Sequence, residues 1–251
     1  MKKILILLCA VFICGAAIAQ TIRWHIGDTV YQTTTCNAGE SITPPTAPEQ
    51  FGYSLVRYDA YTPIEYLEST GTQWIDTGVV PNNDTGVNID VAWLGNFGGE
   101  RQILGTRYNN DDVRFYVPFL YDGHFGYGWG SWSESNINCA IDTIYNIKFN
   151  YLNNRVITIN NNDISILNSN LPQNTTGETL PLFAAFYMHL KLMLTGRIYK
   201  VQITKGTDLV RDFIPVLDGN GTPCMYDKVE HKFYYNAGTG QFIAGPVIVG
   251  E

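Results

Sequence analysis

The chain has 251 residues, a formal net charge of −7 and a charged fraction of only 16%. No run of Lys or Arg offers a basic patch to phosphates or anionic lipid, so nucleic acid and acidic membrane surfaces are excluded as partners. The low charged fraction agrees with a fold whose sheets are largely covered on their inner faces.

Residues 1–19 read as a signal peptide. Met1-Lys2-Lys3 is a basic start, Ile4 to Ala16 an apolar run, and Ala17-Ile18-Ala19 an A-x-A site ahead of Gln20. The run is too short to cross a bilayer, so no membrane insertion is expected after cleavage. Phe12-Ile13 before Cys14 lacks the small residues that a lipid-modified cysteine needs. The expected location is secreted or extracytoplasmic, in the periplasm or at the cell surface. Loss of Lys2 and Lys3 takes the charge to −7 − 2 = −9. Cys9 and Cys14 leave as well, and Cys36, Cys139 and Cys224 remain, widely spaced. Three cysteines allow at most one internal bridge and leave open which pair, if any, forms it. No C-x-x-C occurs, so neither a zinc knuckle nor a thioredoxin-like redox site is supported.

Residues 20–60 form a separate small unit. Trp24, Gly27, Tyr31, Gly39, Pro44-Pro45, Pro48 and Gly52-Tyr53 punctuate it. Their spacing resembles the Listeria–Bacteroides (internalin B-type) repeat, a small β-grasp-like module of surface proteins, with Tyr58 where that repeat usually carries Trp. A unit this small buries little alone, and the other reading of the segment is a Pro-rich linker.

Residues 61–251 read as strands throughout. In Pro63 to Gly78, Ile64, Tyr66 and Glu68 alternate with Glu65, Leu67 and Ser69. Thr70-Gly71-Thr72 breaks the run, and Gln73 to Thr77 resumes it, which predicts a β-hairpin. Val87 to Trp93 alternates, and Arg101 to Thr106 leads through the turn cluster Asn109-Asn110-Asp111-Asp112 into Val113 to Tyr121. Tyr145, Ile147, Phe149 and Tyr151 share one side of a strand; Asn153-Asn154 and Asn160-Asn161-Asn162-Asp163 bracket Val156 to Ile159. Ile137, Ile141 and Ile144 fit a helical stripe, but three positions do not outweigh the strand pattern that follows. Tyr199, Val201 and Ile203 repeat it, with Lys205-Gly206 as the next turn. Many short strands with Asn, Gly and Asp turns predict an all-β sandwich.

The opening EYLESTGTQWIDTG and the closing segments Leu209 to Pro215, Met225-Tyr226-Asp227, Lys232-Phe233-Tyr234 and Asn236 to Gly240 resemble a concanavalin A-like (laminin G-like) jelly-roll module of bacterial surface and phage tail proteins. The resemblance implies an all-β, concanavalin A-like jelly-roll sandwich over residues 61–251, preceded by the small β-grasp-like module. It implies no particular ligand. Arg211-Asp212 is fixed in that module. Adjacent strand residues point to opposite faces, so Arg211 is expected to bond to another strand rather than to Asp212.

G-x-S-x-G, H-E-x-x-H, P-loop and D-x-D-x-D-G patterns are missing, and so is the E-x-D-x-x-E strand motif of jelly-roll glycosidases. Glu65/Glu68 and Asp111/Asp112 are the nearest acid pairs. His25, His124, His189 and His231 are scattered, and no catalytic residue or metal ligand is assigned. Asn109, Asp111, Asp112 and Asp122 could gather around calcium, but they read first as solvated turn residues, so no cofactor is required.

The richest segment is Phe115 to Trp132, FYVPFLYDGHFGYGWGSW. Phe125, Tyr127 and Trp129 fall on one side of a strand, and Gly126, Gly128 and Gly130 on the other. Rings turned inward would anchor a core, and a strand of three rings is more often core than surface. Rings turned outward would stack on sugars. The candidate ligand-binding set is Tyr108, Tyr121, Asp122, His124, Trp129 and Trp132. The expected function is a non-catalytic carbohydrate-recognition module whose partner is a glycan. A surface protein bound by an adhesin or structural module is the alternative, and a polysaccharide hydrolase the third reading.

Overall fold

A computed structural model describes residues 5–6, 20–26, 29–36, 55–56, 61–95, 102–108, 113–121, 123–167, 177–187 and 190–248. The chain divides into two compact units, Met1–Tyr61 and Thr62–Glu251. In the first, β1 (Leu5–Ile6) pairs in parallel with β4 (Leu55–Val56), while β2 (Gln20–Ile26) and β3 (Thr29–Cys36) form an antiparallel hairpin. Trp24 lies opposite Gln32, and the register slips by one residue before His25. The repeat-like positions Gly27, Gly39, Pro44, Pro45, Pro48, Gly52, Tyr53 and Tyr58 lie outside the described residues.

The second unit contains β5 (Thr62–Pro63), β6 (Leu67–Thr70), β7 (Ile75–Asp76), β8 (Thr85–Trp93), β9 (Leu104–Tyr108), β10 (Val113–Tyr121), β11 (His124–Trp129), β12 (Ser131–Asn138), β13 (Tyr145–Phe149), β14 (Val156–Ile159), β15 (Asn162–Ile166), β16 (Pro181–Leu182), β17 (Ala184–Tyr187), β18 (Leu190–Met193), β19 (Thr195–Lys205), β20 (Asp208–Leu217), β21 (Pro223–Asp227), β22 (Lys232–Tyr234) and β23 (Ile243–Ala244). Its only helical turn among the described residues is a short 3-10 turn, Tyr151–Asn153.

The strands build two sheets. The larger runs β15-β14-β13-β8-β19-β20-β21-β22, with β5, β6 and β23 added at its side; the smaller runs β12-β11-β10-β9-β16-β7, with β17 and β18 attached through β9. Pairing in both is antiparallel apart from β17 on β9. The hairpin β14–β15 turns on Asn160 and Asn161, at φ 52° and 63°, the left-handed pair that a two-residue hairpin loop requires and that Asn tolerates.

The sheets stack face to face because each strand buries alternate residues. Val87, Ile89, Val91, Ile147, Phe149, Val201, Ile203 and Phe213 supply the larger sheet's inner face, and Phe115, Phe125 and Trp129 that of the smaller. Rings meet across the gap: Trp93 and Phe125 lie 5.3 Å apart, Phe115 and Phe149 5.2 Å, and Trp129 and Phe149 5.6 Å. Edge-on and tilted pairs at these separations are favourable beyond the area they bury. The unit is an all-β sandwich.

The opening stretch does not form the hairpin that its alternation predicts. β6 joins the larger sheet, pairing with β19 and β23, whereas β7 joins the smaller, pairing with β16. Gly71 to Trp74 is therefore a corner between sheets, and side chains replace the missing ladder. Gln73 is buried; its Oε1 accepts from the Thr70 amide at 2.9 Å and from Ser69 Oγ at 3.0 Å, and its Nε2 donates to the Gln241 carbonyl at 3.0 Å. Gly71, at φ 99°, makes the bend that a side chain would resist. The chain's return seals the corner: the Thr239 amide donates to the Thr72 carbonyl and the Ala237 amide to that of Trp74.

Cys139 and Cys224 are free and buried, and burial pushes both thiols up to about 12.

Two outcomes follow from this packing. Gln73→Ala strands buried donors and acceptors on both sides of the corner and is expected to cost about 2–3 kcal/mol in urea unfolding with an unchanged slope. A loss below about 0.5 kcal/mol would mean that water replaces the amide. At neutral pH neither Cys139 nor Cys224 presents a thiolate, so a thiol-alkylating reagent should modify neither in the native chain and both in denaturant, as peptide mass mapping would read.

Candidate functional site

Strand register decides which of the sequence-predicted residues can meet. Tyr121 lies opposite His124 across the tight turn between β10 and β11, beside Asn138, which pairs with His124 from β12. The Cys139 amide donates to the Gly123 carbonyl at 2.9 Å and closes this end. Tyr108 lies opposite Val113 at the far end of β10, and Trp132 lies opposite Gly128, which faces Tyr116. At about 3.3 Å per residue, the Tyr108 and Trp132 positions sit roughly 26 and 17 Å along the sheet from the Tyr121 turn. The five described positions among these six therefore divide between two places rather than forming one site. Asp122 and the side chains of Tyr108, Tyr121 and Trp132 lie outside the described residues. His124 is half-buried.

Trp129 requires a correction. It is 3% exposed, stacked on Phe115 and Phe149 with the Arg155 guanidinium 5.6 Å from its ring centre. Strand alternation turns Phe125 and Trp129 toward the other sheet, so this ring serves the core and presents no face to a ligand. Tyr127 follows them inward, and its hydroxyl bonds Ser165 Oγ of the larger sheet at 2.7 Å. On the side away from these rings β11 carries only Gly126 and Gly128, and both are buried although neither has a side chain. Opposite Gly128 stand Tyr116 on one side and Trp132 on the other; opposite Gly126 stand Phe119 and Glu134.

Several of the described acids and bases are committed to structure. Glu68 receives the Arg197 Nε at 2.7 Å, and Arg197 also reaches Asp142 at 2.7 Å while covering the Tyr66 ring at 4.5 Å. Glu65, the other member of that acid pair, is exposed. Arg211 does not pair with Asp212, in keeping with strand alternation. Its Nε donates to the Thr77 carbonyl at 3.1 Å, its Nη1 meets Glu230 at 2.7 Å, and buried Asp227 lies 3.6 Å away. Asp227 Oδ1 accepts from the Asp212 and Val229 amides, which pins the closing turn between β21 and β22. Asp212 faces the other way and pairs with Lys228 at 2.6 Å. Burial lowers the pKa of Lys205, yet its ammonium donates to the Val80 carbonyl, Asn82 Oδ1 and Thr85 Oγ1 and straps the start of β8.

Among the described residues no three His, Cys, Asp or Glu side chains gather as a metal site would require. The calcium candidates Asn109, Asp111, Asp112 and Asp122 lie outside the described residues.

Sequence reasoning passed over the outer face of the larger sheet. Asn146 Nδ2 donates to Asn88 Oδ1 at 2.9 Å and to Asp90 Oδ1 at 2.6 Å. Asn88 Nδ2 donates to Gln202 Oε1 at 3.0 Å, which also accepts from the Tyr151 hydroxyl at 3.0 Å. The signal lay in the sequence as amides alternating with core residues, V-N-I-D-V and Y-N-I-K-F, but nothing local says that these strands are neighbours.

No sequence-family model and no curated protein matches the chain. A solved structure of a candidate carbohydrate-binding protein from Bacteroides ovatus is similar to it at 12% identity and a TM-score of 0.49, over 96% of this chain and 72% of that one. A likeness of that size bears on neither ligand nor site.

Proposed function

We propose that the chain is an exported, non-catalytic recognition module that binds carbohydrate on the outer face of its smaller sheet. The observation that carries this reading is the row in which Gly128 lies between Tyr116 and Trp132, one residue along from the buried row of Phe115 and Trp129. Alternation puts the Tyr116, Gly128 and Trp132 positions on the side away from the core, so two aromatic positions bracket a strand that has no side chain there; Gly128 itself is buried. A sugar ring has apolar C–H faces and a hydroxyl rim. Aromatic positions beside exposed polar neighbours such as Glu134 suit such a ring. Binding at one such row is weak, because only the surplus over ordering and desolvation costs appears as affinity. The basic start, apolar run and A-x-A site of residues 1–19 support export to the periplasm or cell surface.

A glycan array on the chain, followed by titration of the best binder, tests the proposal. Trp132→Ala is expected to weaken binding roughly tenfold or more, the scale of a truncated aromatic anchor. Trp129→Ala, a core change, should instead cost about 3–5 kcal/mol of stability and leave the affinity of the folded protein unaltered. An array without hits, or a Trp132→Ala chain that binds as tightly as its parent, sinks the carbohydrate reading and leaves a protein ligand as the alternative.

A further inference from the structure

We propose a second ligand site, on the opposite side of the sandwich: the outer face of β13, β8, β19 and β20 holds a neutral, hydroxyl-rich chain molecule across its strands. Ile147, Ile89, Val201 and Phe213 point into the core, so their neighbours Asn146, Asn88, Asp90, Gln202 and Asp212 share the outer face. Register aligns them: Asn146 opposite Asp90, Asn88 opposite Gln202, and Gln202 opposite Asp212.

Three observations point to a ligand. First, Asn and Asp are poor strand residues, and here they occupy β13 and β8 in the interior of the larger sheet, where β-branched residues would stabilise the sheet more. Second, the amides are pre-set. Asn146 is held by Asn88 and Asp90, and Gln202 by Asn88 and Tyr151, each through one end of its amide. The other ends, Asn146 Oδ1 and Gln202 Nε2, are left for a ligand with little ordering cost. Third, Asp212 is 8% exposed, and its Oδ1 is buried without a hydrogen-bond partner although Oδ2 is paired with Lys228. A buried carboxylate oxygen left unpaired in the middle of a polar face calls for a donor from outside.

The chemistry of the face selects the ligand class. Asp90 already accepts an amide N–H, which is the wrong neighbour for a cation cage. Two carboxylates, Asp90 and Asp212, stand against three ammonium groups, Lys148, Lys200 and Lys228, so neither a strongly anionic nor a strongly cationic ligand is favoured. Alternating donors and acceptors on planar side chains suit hydroxyls, which do both. Neighbouring strands are about 4.8 Å apart, comparable to one sugar unit in a chain, so successive residues of a neutral polysaccharide would meet successive strands.

The experiment titrates the full chain with a soluble β-glucan, a mannan and a galactan while following the side-chain amide NMR signals of Asn88, Asn146 and Gln202. At least one probe should shift these signals. Asn146→Thr combined with Gln202→Thr should weaken that probe roughly tenfold or more through two lost hydrogen-bonding ends. Thr is a good strand residue, so the double variant is expected to melt no lower than its parent; Tyr151→Phe, which frees Gln202 without touching the backbone, serves as an independent variant with a smaller loss. Amide signals that stay put under every probe, or a double variant that binds as its parent does, overturn the proposal. The two sites are separable. Binding abolished by Trp132→Ala and untouched by the amide changes rejects this second site alone. The reverse pattern supports it and rejects the site on the smaller sheet.

Discussion

The structure depends on one layer of interlocked rings. Trp93 and Phe149 from the larger sheet meet Phe115, Phe125 and Trp129 from the smaller, all of them buried. Each such ring removes on the order of 150–250 Å² from water, so a few of them outweigh many ordinary contacts. The layer also sets a limit on function. A ring committed to the gap between sheets cannot stack on a ligand, which leaves recognition to the two outer faces and the loops at the sandwich ends. That constraint, more than any motif, moves the candidate surface from the ringed side of β11 to its glycine side.

The same layer explains the fate of the opening stretch. Leu67 and Ile75 are both fully buried, one under each sheet, although only Gly71 to Trp74 separates their strands. A hairpin over these residues would have placed both strands in one sheet and left one edge of the sandwich open. The corner is held by short polar side chains, with Ser69 and Gln73 buried and mutually bonded, so backbone groups that lose a ladder partner at the crossing find another within a few residues. Period-two alternation is identical for a hairpin and for a strand that changes sheets. The distinguishing feature is a buried glutamine in the turn, and burial is not visible locally in sequence.

What was legible follows from this. Strand positions from Val87 onward were readable because one face of each strand is buried and the other polar, and the Asn-rich turns mark their ends by tolerating left-handed backbone. The reading of Arg211 as bonded to another strand also rested on alternation, a local property, and the structure gives it Thr77, Asp227 and Glu230 as partners. The candidate binding residues are harder to place, because proximity in sequence is not proximity in space. Tyr121 and Trp132 are only eleven positions apart, yet β10 and β11 run back along each other and separate them along the sheet. The outer amide row was invisible for the complementary reason. Asn88, Asn146 and Gln202 are far apart in the chain, and only the sheet order β13-β8-β19 joins them.

That row bears on how the sandwich divides stability from recognition. The central strands of an antiparallel sheet gain most from β-branched or aromatic neighbours on both faces, and β8 has them on its inner face alone. On the outer face Asn88, Asp90 and Asn146 give up propensity and recover part of it by bonding one another across strands. A purely structural outer face would meet the same solvent more cheaply with Thr, Lys and Glu, whose long or branched side chains need no mutual positioning. Cross-bonded amides are rigid where ordinary surface side chains are free. Rigidity on a solvent-facing surface contributes nothing to burying the core, and it lowers the entropy cost only if something is bound there. The sandwich can bear that local loss because the ring layer beneath is indifferent to what its outer neighbours are.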